Sequence, residues 1–575
     1  MLILTLVVSL LDVIGVASIL PFMAALLNPG LVNENATFKF FYQLLEFESY
    51  QRFLFAFGIA VFLLLLLSLA LKAGATHLQL RFSLMCEYNL GRRLIEGYLS
   101  KPYVWFLGQN SADLGKTILS EAGIVVGSAM MPLIRIIALS VTSFLLLLLL
   151  IFVNPILALT VGAVLSFAYI FIYKLMSKFL LRIGSESSYA NRDRYKAVSE
   201  IFGAIKEIKI GGYEKIFINR FEIPASTYAR HQATSQSTAQ IPRFFLEAVA
   251  FGGMLLLILI LMGSGNSFDS TLPIIALYAL AGYRLMPALQ QIYVGFSQMR
   301  FSETALNSIN SAFMSFKLHD QSSTSPLNSI HLIENIRLNN IYFSYPASLS
   351  NAVTCLNLDI AARTTIGIVG STGSGKTTTV DLILGILEPQ KGCIEIDGKI
   401  VDKRNISQWQ KSVGYVPQQI YLSDDSVAAN IAFGLDPSDI DQNAIERAAR
   451  IANIHNFVVD KLPHKYETKV GERGVRLSGG QRQRIGIARA LYHAPKVLIM
   501  DEATSALDNL TEQAVMEAVN NLNHEITIIL IAHRLSTVRQ CNKIYFLENG
   551  MVSFQGTYDE LIRDCQAFKG MAMIK

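Results

Sequence analysis

Six apolar stretches, each long enough to cross a bilayer, crowd the first 300 residues of this chain: about 1–27, 52–80, 128–152, 156–178, 245–263 and 272–296. A span of about 20 apolar residues must satisfy its backbone polar groups internally once it is in hydrocarbon, which makes each stretch a helix. Of the 575 residues, 52% are hydrophobic and only 16% charged, against about 25% charged in soluble domains. That deficit belongs to the first half, because the charge and turn residues of the last 240 resemble an ordinary soluble domain. A single soluble core is excluded, and the expected division is a membrane domain at 1–316, a Ser/Thr-rich linker at 317–335 and a soluble domain at 336–575. The net charge of +5 is modest, and no basic-aromatic stripe argues for nucleic acid.

The connectors between the spans differ sharply in charge. Residues 174–243 carry twelve Lys/Arg and residues 72–116 carry six, whereas 153–155 and 264–271 carry none and 28–51 carries only Lys39. The positive-inside rule therefore puts the N-terminus and both long connectors in the cytosol. Charged amphipathic stretches such as Glu87 to Leu99 and Tyr189 to Lys209 continue the helices beyond the membrane. The first span has no basic residue before it, which argues against a signal peptide and leads us to expect a start upstream of Met1. Residues 31–51 read either as an interfacial helix or as an ordered loop on the outer side. The five cysteines have neither disulfide-framework nor metal-ligand spacing, and four lie in the soluble half, as suits a reducing compartment.

Within the soluble half, Gly370-Ser371-Thr372-Gly373-Ser374-Gly375-Lys376-Thr377 fits the P-loop pattern. Its glycines let backbone N–H groups curl around phosphate oxygens, Lys376 reaches the terminal phosphates, and the Thr377 hydroxyl can ligate Mg²⁺. Ile366 to Val369 reads as a buried parallel strand before the loop. Val380, Ile383, Leu384 and Leu387 repeat at helical spacing after it, aiming a helix N-terminus at the phosphates. Asp397-Gly398 and Asn549-Gly550 are hairpin signals, while Lys496 to Met500 and Ile526 to Ile531 read as strands covered on both faces. The expectation is an α/β P-loop NTPase domain with added antiparallel strands.

Val497 to Met500 ends in two carboxylates. Asp501 is placed for the Mg²⁺ shell and Glu502 to polarise an attacking water. Leu477-Ser478-Gly479-Gly480-Gln481 is a second glycine turn opening a second helix, hence a second anion site. With these motifs in order, the soluble half resembles the ATPase of ATP-binding cassette (ABC) transporters, and the second turn matches their LSGGQ signature. The resemblance implies that Tyr345 stacks on adenine and that Gln418 is the Q-loop glutamine reaching Mg²⁺. It makes Gly370, Ser371, Thr372, Gly373, Ser374, Gly375, Lys376, Thr377 and Thr378 the ATP cradle. It further implies that Ser505 to Asp508 is the D-loop, that His533 is the switch histidine on the γ-phosphate, and that Val470 to Gly474 is the exporter loop toward the membrane domain. Glu502, His533 and Lys376 would carry catalysis; Thr377, Gln418 and Asp501 would hold Mg²⁺.

In such proteins a P-loop and a signature loop of one domain do not share a nucleotide. Leu477, Ser478, Gly479, Gly480, Gln481 and Asp508 would then complete the ATP site of a second copy, and one ATPase with six spans implies a homodimeric half-transporter of the exporter type. Connectors such as Lys101 to Phe106 and Lys206 to Ile210 would carry the motion.

Ionisable residues inside spans are functional candidates, here Arg81, Arg135, Arg243 and Arg284. They can offer a basic cavity to an anionic head group, or snorkel and pair with neighbours such as Glu247. Ile241 to Glu247 and Tyr283 to Pro287 are similar to membrane motifs of the lipid-linked oligosaccharide flippases of bacterial protein N-glycosylation, and segment 31–51 to that group's short external helix. The resemblance implies a polyprenyl-pyrophosphate glycan flipped across the bacterial inner membrane, with the ATPase in the cytosol. The alternatives are a general lipid or drug exporter, and an ATP-gated channel or nucleotide-sensing regulator.

Overall fold

The computed structural model describes residues 49–153, 155–263, 268–317, 332–346, 350–503, 509–520, 525–532 and 534–573, with residues 330 and 348 and isolated positions between 7 and 43. Most of the span expected at 1–27, of segment 31–51 and of the linker 317–335 lies outside these residues. Two compact units result: Met1–Lys101 with Gln109–His319, and Pro102–Gly108 with Asp320–Lys575.

The first unit is helical. Its long helices are α1 (Tyr50–Leu99), α2 (Met131–Val153), α3 (Pro155–Gly203), α4 (Glu214–Gly263), α5 (Phe268–Phe301) and α6 (Glu303–Lys317). They cover the expected spans at 52–80, 128–152, 156–178, 245–263 and 272–296. At 1.5 Å per residue α1 is about 75 Å long, more than twice the roughly 30 Å hydrocarbon core. Its charged C-terminal part therefore continues past the membrane, as the run Glu87 to Leu99 suggests. The apolar part keeps Phe62, Leu63, Leu66, Leu67 and Leu69 exposed, as a helix solvated by lipid does.

One expected helix is broken. Tyr189 to Lys209 is interrupted at Ala204 (φ −115°, ψ 29°), after Gly203 at the end of α3, and resumes as a short helix Ile205–Gly211. Glycine is a poor helix residue because ordering its backbone is entropically costly, so a break there is cheap. That short helix then stops at Gly212, whose φ of +65° is a left-handed C-terminal cap.

α3 packs along α4, and α2 along α5. At Gly184 of α3 an added Cβ would lie 2.1 Å from the Phe301 carbonyl oxygen, so glycine is what lets the end of α5 approach. Before α2 the chain contains two π-helical turns, Thr117–Glu121 and Val126–Met130. A π turn brings residues five apart together. Here it sets Lys116 Nζ 2.7 Å from Glu121 Oε1, with both side chains nearly sealed from solvent. Ser308 Oγ of α6 donates to Glu121 Oε2 at 2.7 Å, tying a third element to the pair.

The second unit is α/β. A four-stranded antiparallel sheet runs in the order β2-β1-β4-β5, with β1 Asn335–Phe343, β2 Val353–Ala361, β4 Lys391–Ile396 and β5 Lys399–Ile400. A six-stranded sheet runs β10-β9-β3-β8-β7-β6, with β3 Thr365–Gly370, β6 Val413–Val416, β7 Val497–Asp501, β8 Thr527–Ile531, β9 Lys543–Glu548 and β10 Met551–Gly556. Strands β9, β3, β8, β7 and β6 are parallel, and β10 returns antiparallel on β9. Every residue of β3, β7 and β8 is buried, which is why these strands read as unbroken apolar runs. Both Asp-Gly and Asn-Gly pairs turn hairpins with positive φ at each residue, at 397–398 and 549–550. The segment 102–108 joins this unit, with Val104 packed against its core.

Candidate functional site

The P-loop leaves the sheet at the end of β3 and returns as helix α7 (Lys376–Ile383). Gly373 and Gly375 have φ of +80° and +96°. An added Cβ at Gly375 would lie 2.7 Å from the Ala352 carbonyl oxygen, and one at Gly370 would lie 2.3 Å from that of Leu547. Sterics therefore demand glycine at both ends of the loop. Lys376 is buried and folds back over the loop, its Nζ donating to the carbonyls of Gly370 and Ser371 at 2.9 Å each. Burial lowers its pKa while Glu502 and Asp501 oppose that shift, so two carboxylates face the same ammonium. The buried Ser374 hydroxyl has no hydrogen-bond partner among the described residues. An orphaned hydroxyl, a buried ammonium and a curled loop at a helix N-terminus fit a polyphosphate.

Asp501 ends β7, two strands from β3, and is 6% exposed. Glu502 follows in a left-handed conformation, φ +48°, with its N–H donating to the Ile531 carbonyl of β8 at 3.1 Å. A non-glycine residue at positive φ is strained, and the sheet holds it there. Gln418, just past β6, donates from Nε2 to Glu502 Oε2 at 2.7 Å. Thus the glutamine expected near the metal and the carboxylate expected near the water are joined directly. Asp381 on α7 is 8% exposed, and burial, reinforced by the Asp501 charge, pushes its carboxyl up to about 6. Thr377 stands exposed at the first turn of α7. Tyr345 lies beside the loop, its hydroxyl 3.1 Å from Thr378 Oγ1 and its ring edge-on to Phe343 at 5.1 Å.

The second glycine turn opens helix α8 (Gly479–Leu491). Ser478 caps it: its Oγ accepts from the Gln481 N–H at 3.2 Å, and Gln481 Oε1 accepts from the Ser478 N–H at 2.8 Å. Leu477 and Ile485 sit in one hydrophobic core, whereas Val380 and Ile383 of α7 sit in another. The two glycine turns are therefore mounted on different cores of the unit. Val470 to Gly474 forms a tight turn with Gly471 and Gly474 at positive φ. Asp508 with the rest of Ser505 to Asp508, and His533, lie outside the described residues.

Comparison with known proteins matches the ABC transporter transmembrane region over residues 3–282 and the ABC transporter family over residues 353–505. An ATP-dependent lipid A-core flippase of Cupriavidus metallidurans is 31% identical over 84% of this chain and 81% of its own length. The chain belongs to the ABC transporter family. A lipid A-core flippase of Ralstonia nicotianae is 29% identical over 87% of this chain and 84% of its own length. A bacterial Atm1-family ABC exporter solved with ATP bound superposes with a TM-score of 0.78 at 21% identity, covering 98% of this chain and 97% of that one, and so shares the fold. This ABC transporter is a half-transporter of the exporter type. Its ATPase domain binds ATP and couples hydrolysis to transport.

The membrane-domain candidates of this ABC transporter are dispersed. Arg81 and Arg135 are exposed, and Arg243 Nε is 2.7 Å from Glu247 Oε1 one turn along α4. No hydrogen bond or ion pair links these three among the described residues. The side chain of Arg284 lies outside the described residues. Sequence reasoning did not single out Asp381, a polar residue on the buried face of a helix, although that placement is itself a signal. The hydrogen bond between Gln418 and Glu502 spans 84 positions and has no local signal.

Proposed function

We propose that two copies of this chain form an ATP-driven exporter that flips a polyprenyl-pyrophosphate-linked oligosaccharide across the bacterial inner membrane. Domain limits of 1–316 for the membrane part, 317–335 for the linker and 336–575 for the cytosolic ATPase accompany that reading. The supporting observation is that relatives matched over more than four-fifths of their length are named ATP-dependent lipid A-core flippases, a lipid-flipping activity. The similarity of Ile241 to Glu247 and Tyr283 to Pro287 to oligosaccharide-flippase motifs points to the polyprenyl class within glycolipids.

In the ATPase, the loop from Gly370 to Thr378 would hold the phosphates, with Lys376 neutralising them and Ser374 accepting or donating a further hydrogen bond. Tyr345 would stack on the base. Thr377, Gln418 and Asp501 would hold Mg²⁺, which draws charge off the phosphates. Glu502 would orient and deprotonate the attacking water, and His533 would contact the γ-phosphate. Leu477 to Gln481 and Asp508 would close the site from the second copy. The bond from Gln418 to Glu502 would hold that carboxylate in place until nucleotide arrives, because both side chains must then turn to new partners. Arg284, with Arg81 and Arg135, would draw the pyrophosphate inward; Arg243 contributes less, being paired with Glu247.

Lipid A-core or a broader class of lipids is the second reading, favoured by the names of the same relatives. Proteoliposomes decide between them. ATP-dependent flipping of a fluorescent polyprenyl-pyrophosphate oligosaccharide is the expected outcome; flipping of lipid A-core alone would replace the first reading with the second.

A further inference from the structure

Between α4 and α5 the membrane unit contains an open cavity of about 620 Å³, lined by Gln236, Ser237, Gln240 and Phe244 of α4 and Val294 and Gln298 of α5. The residues 236, 240 and 244 recur every fourth position, as do 294 and 298, so each set forms one stripe along its helix. One turn before Val294, Gln290 donates from Nε2 to Gln240 Oε1 at 3.0 Å, joining the two helices by an amide pair. The side-chain amides of Gln236 and Gln298 have no hydrogen-bond partner among the described residues. Among the described residues no charged side chain lines the cavity.

Its depth follows from the chain. The α4 residues end where the apolar span at 245–263 begins, and the α5 residues lie at and just past the end of the span at 272–296. The cavity therefore stands at the level of lipid head groups, on the side of the basic connectors.

Amides both donate and accept, which matches sugar hydroxyls, and an exposed phenyl face such as Phe244 suits the C–H face of a sugar ring. Neutral amides cannot compensate a pyrophosphate, which carries charge that calls for arginine. The volume falls within the roughly 300–1,000 Å³ typical of ligand pockets. We propose that this cavity is a carbohydrate subsite. It takes uncharged sugar rings of the transported head group, with Gln236, Gln240 and Gln298 bonding their hydroxyls and Phe244 stacking beneath them, while the pyrophosphate is held elsewhere. This inference rests on the glycolipid reading above.

The test compares two substrates on one variant. In proteoliposomes carrying Gln240→Leu/Gln298→Leu, ATP-dependent flipping of a polyprenyl-pyrophosphate oligosaccharide should fall at least about tenfold relative to flipping of the same lipid pyrophosphate without sugars. Equal loss for both substrates, or loss for neither, overturns the subsite. A second measurement stands apart from flipping: Ser237→Cys is labelled by a maleimide in the purified full chain, read at the peptide level, with and without the same oligosaccharide released from its lipid. Protection that disappears in the Gln240→Leu/Gln298→Leu background is expected, and absence of protection overturns the proposal. If the wild type flips neither lipid, the glycolipid reading fails, and the labelling result alone decides whether the cavity binds sugar.

Discussion

At the residue scale the nucleotide site is governed by a few carboxylates crowded around one ammonium. Glu502 is held in a strained backbone state and engaged by Gln418. Replacing Glu502 with Gln keeps the shape and that neighbourhood but removes the proposed base. Steady-state hydrolysis should drop by about 10²-fold or more, while ATP-induced closure of the dimer persists in a cross-linking assay. Surviving turnover would mean that another group accepts the proton. Asp381 provides a pH signature. Its ordinary value of 3.8 rises to about 6 in the fold, because burial and the Asp501 charge disfavour the ionised form. Between those values the native state holds the extra proton. The group's stabilising contribution is thus complete below about pH 4 and is lost as pH rises through 6. Thermal melting should show the wild type losing more stability between pH 4 and 6.5 than Asp381→Asn, with the variant the more stable at pH 7. Parallel curves would contradict the assigned burial.

At the element scale, the π turn before α2 shows how a local irregularity creates a long-range tie. Lys116 and Glu121 would not share a face of a regular α-helix. The wider turn pairs them in a nearly dry site where Ser308 of α6 joins the carboxylate. Removing one partner strands the other's charge in low dielectric. Glu121→Leu alone should cost about 3–5 kcal/mol, whereas Lys116→Met/Glu121→Leu together should come close to wild type. Chemical denaturation of the purified protein in detergent measures both, and equal losses would show that the pair is not isolated from water. Elements differ in how well the sequence announces them. The buried strands β3, β7 and β8 and the P-loop helix were plain from apolar runs and glycine spacing, because each is specified by its own residues. The π turns and the break at Ala204 were not, since Gly203 permits a break without requiring one and a π turn has no residue signature of its own.

At the scale of the whole molecule the P-loop and the signature loop are mounted on different cores, and in the proposed function a complete site calls for a second copy. Mixing two inactive chains tests this. Lys376→Ala destroys the P-loop and Ser478→Arg blocks the signature turn, so either homodimer should be inactive. In a mixed dimer the Ser478→Arg chain's P-loop meets the intact signature loop of the Lys376→Ala chain, and ATPase activity should reappear. No recovery on mixing, with dimers shown by cross-linking, would place both motifs in the same chain's site.

Taken alone, the sequence determined the division into spans and ATPase, the P-loop, the two carboxylates and the signature turn. All of these are local: runs of apolar residues and glycines at fixed spacing. Only the tertiary structure decided that Gln418 bonds Glu502, that Asp381 shares the acidic cluster, that Arg243 is paired with Glu247, and that glutamines from two helices line one cavity. Those facts join residues tens of positions apart, or rest on which of several neighbours a long side chain reaches. Such choices are made by packing and by competition for hydrogen bonds, which spacing along the chain does not record.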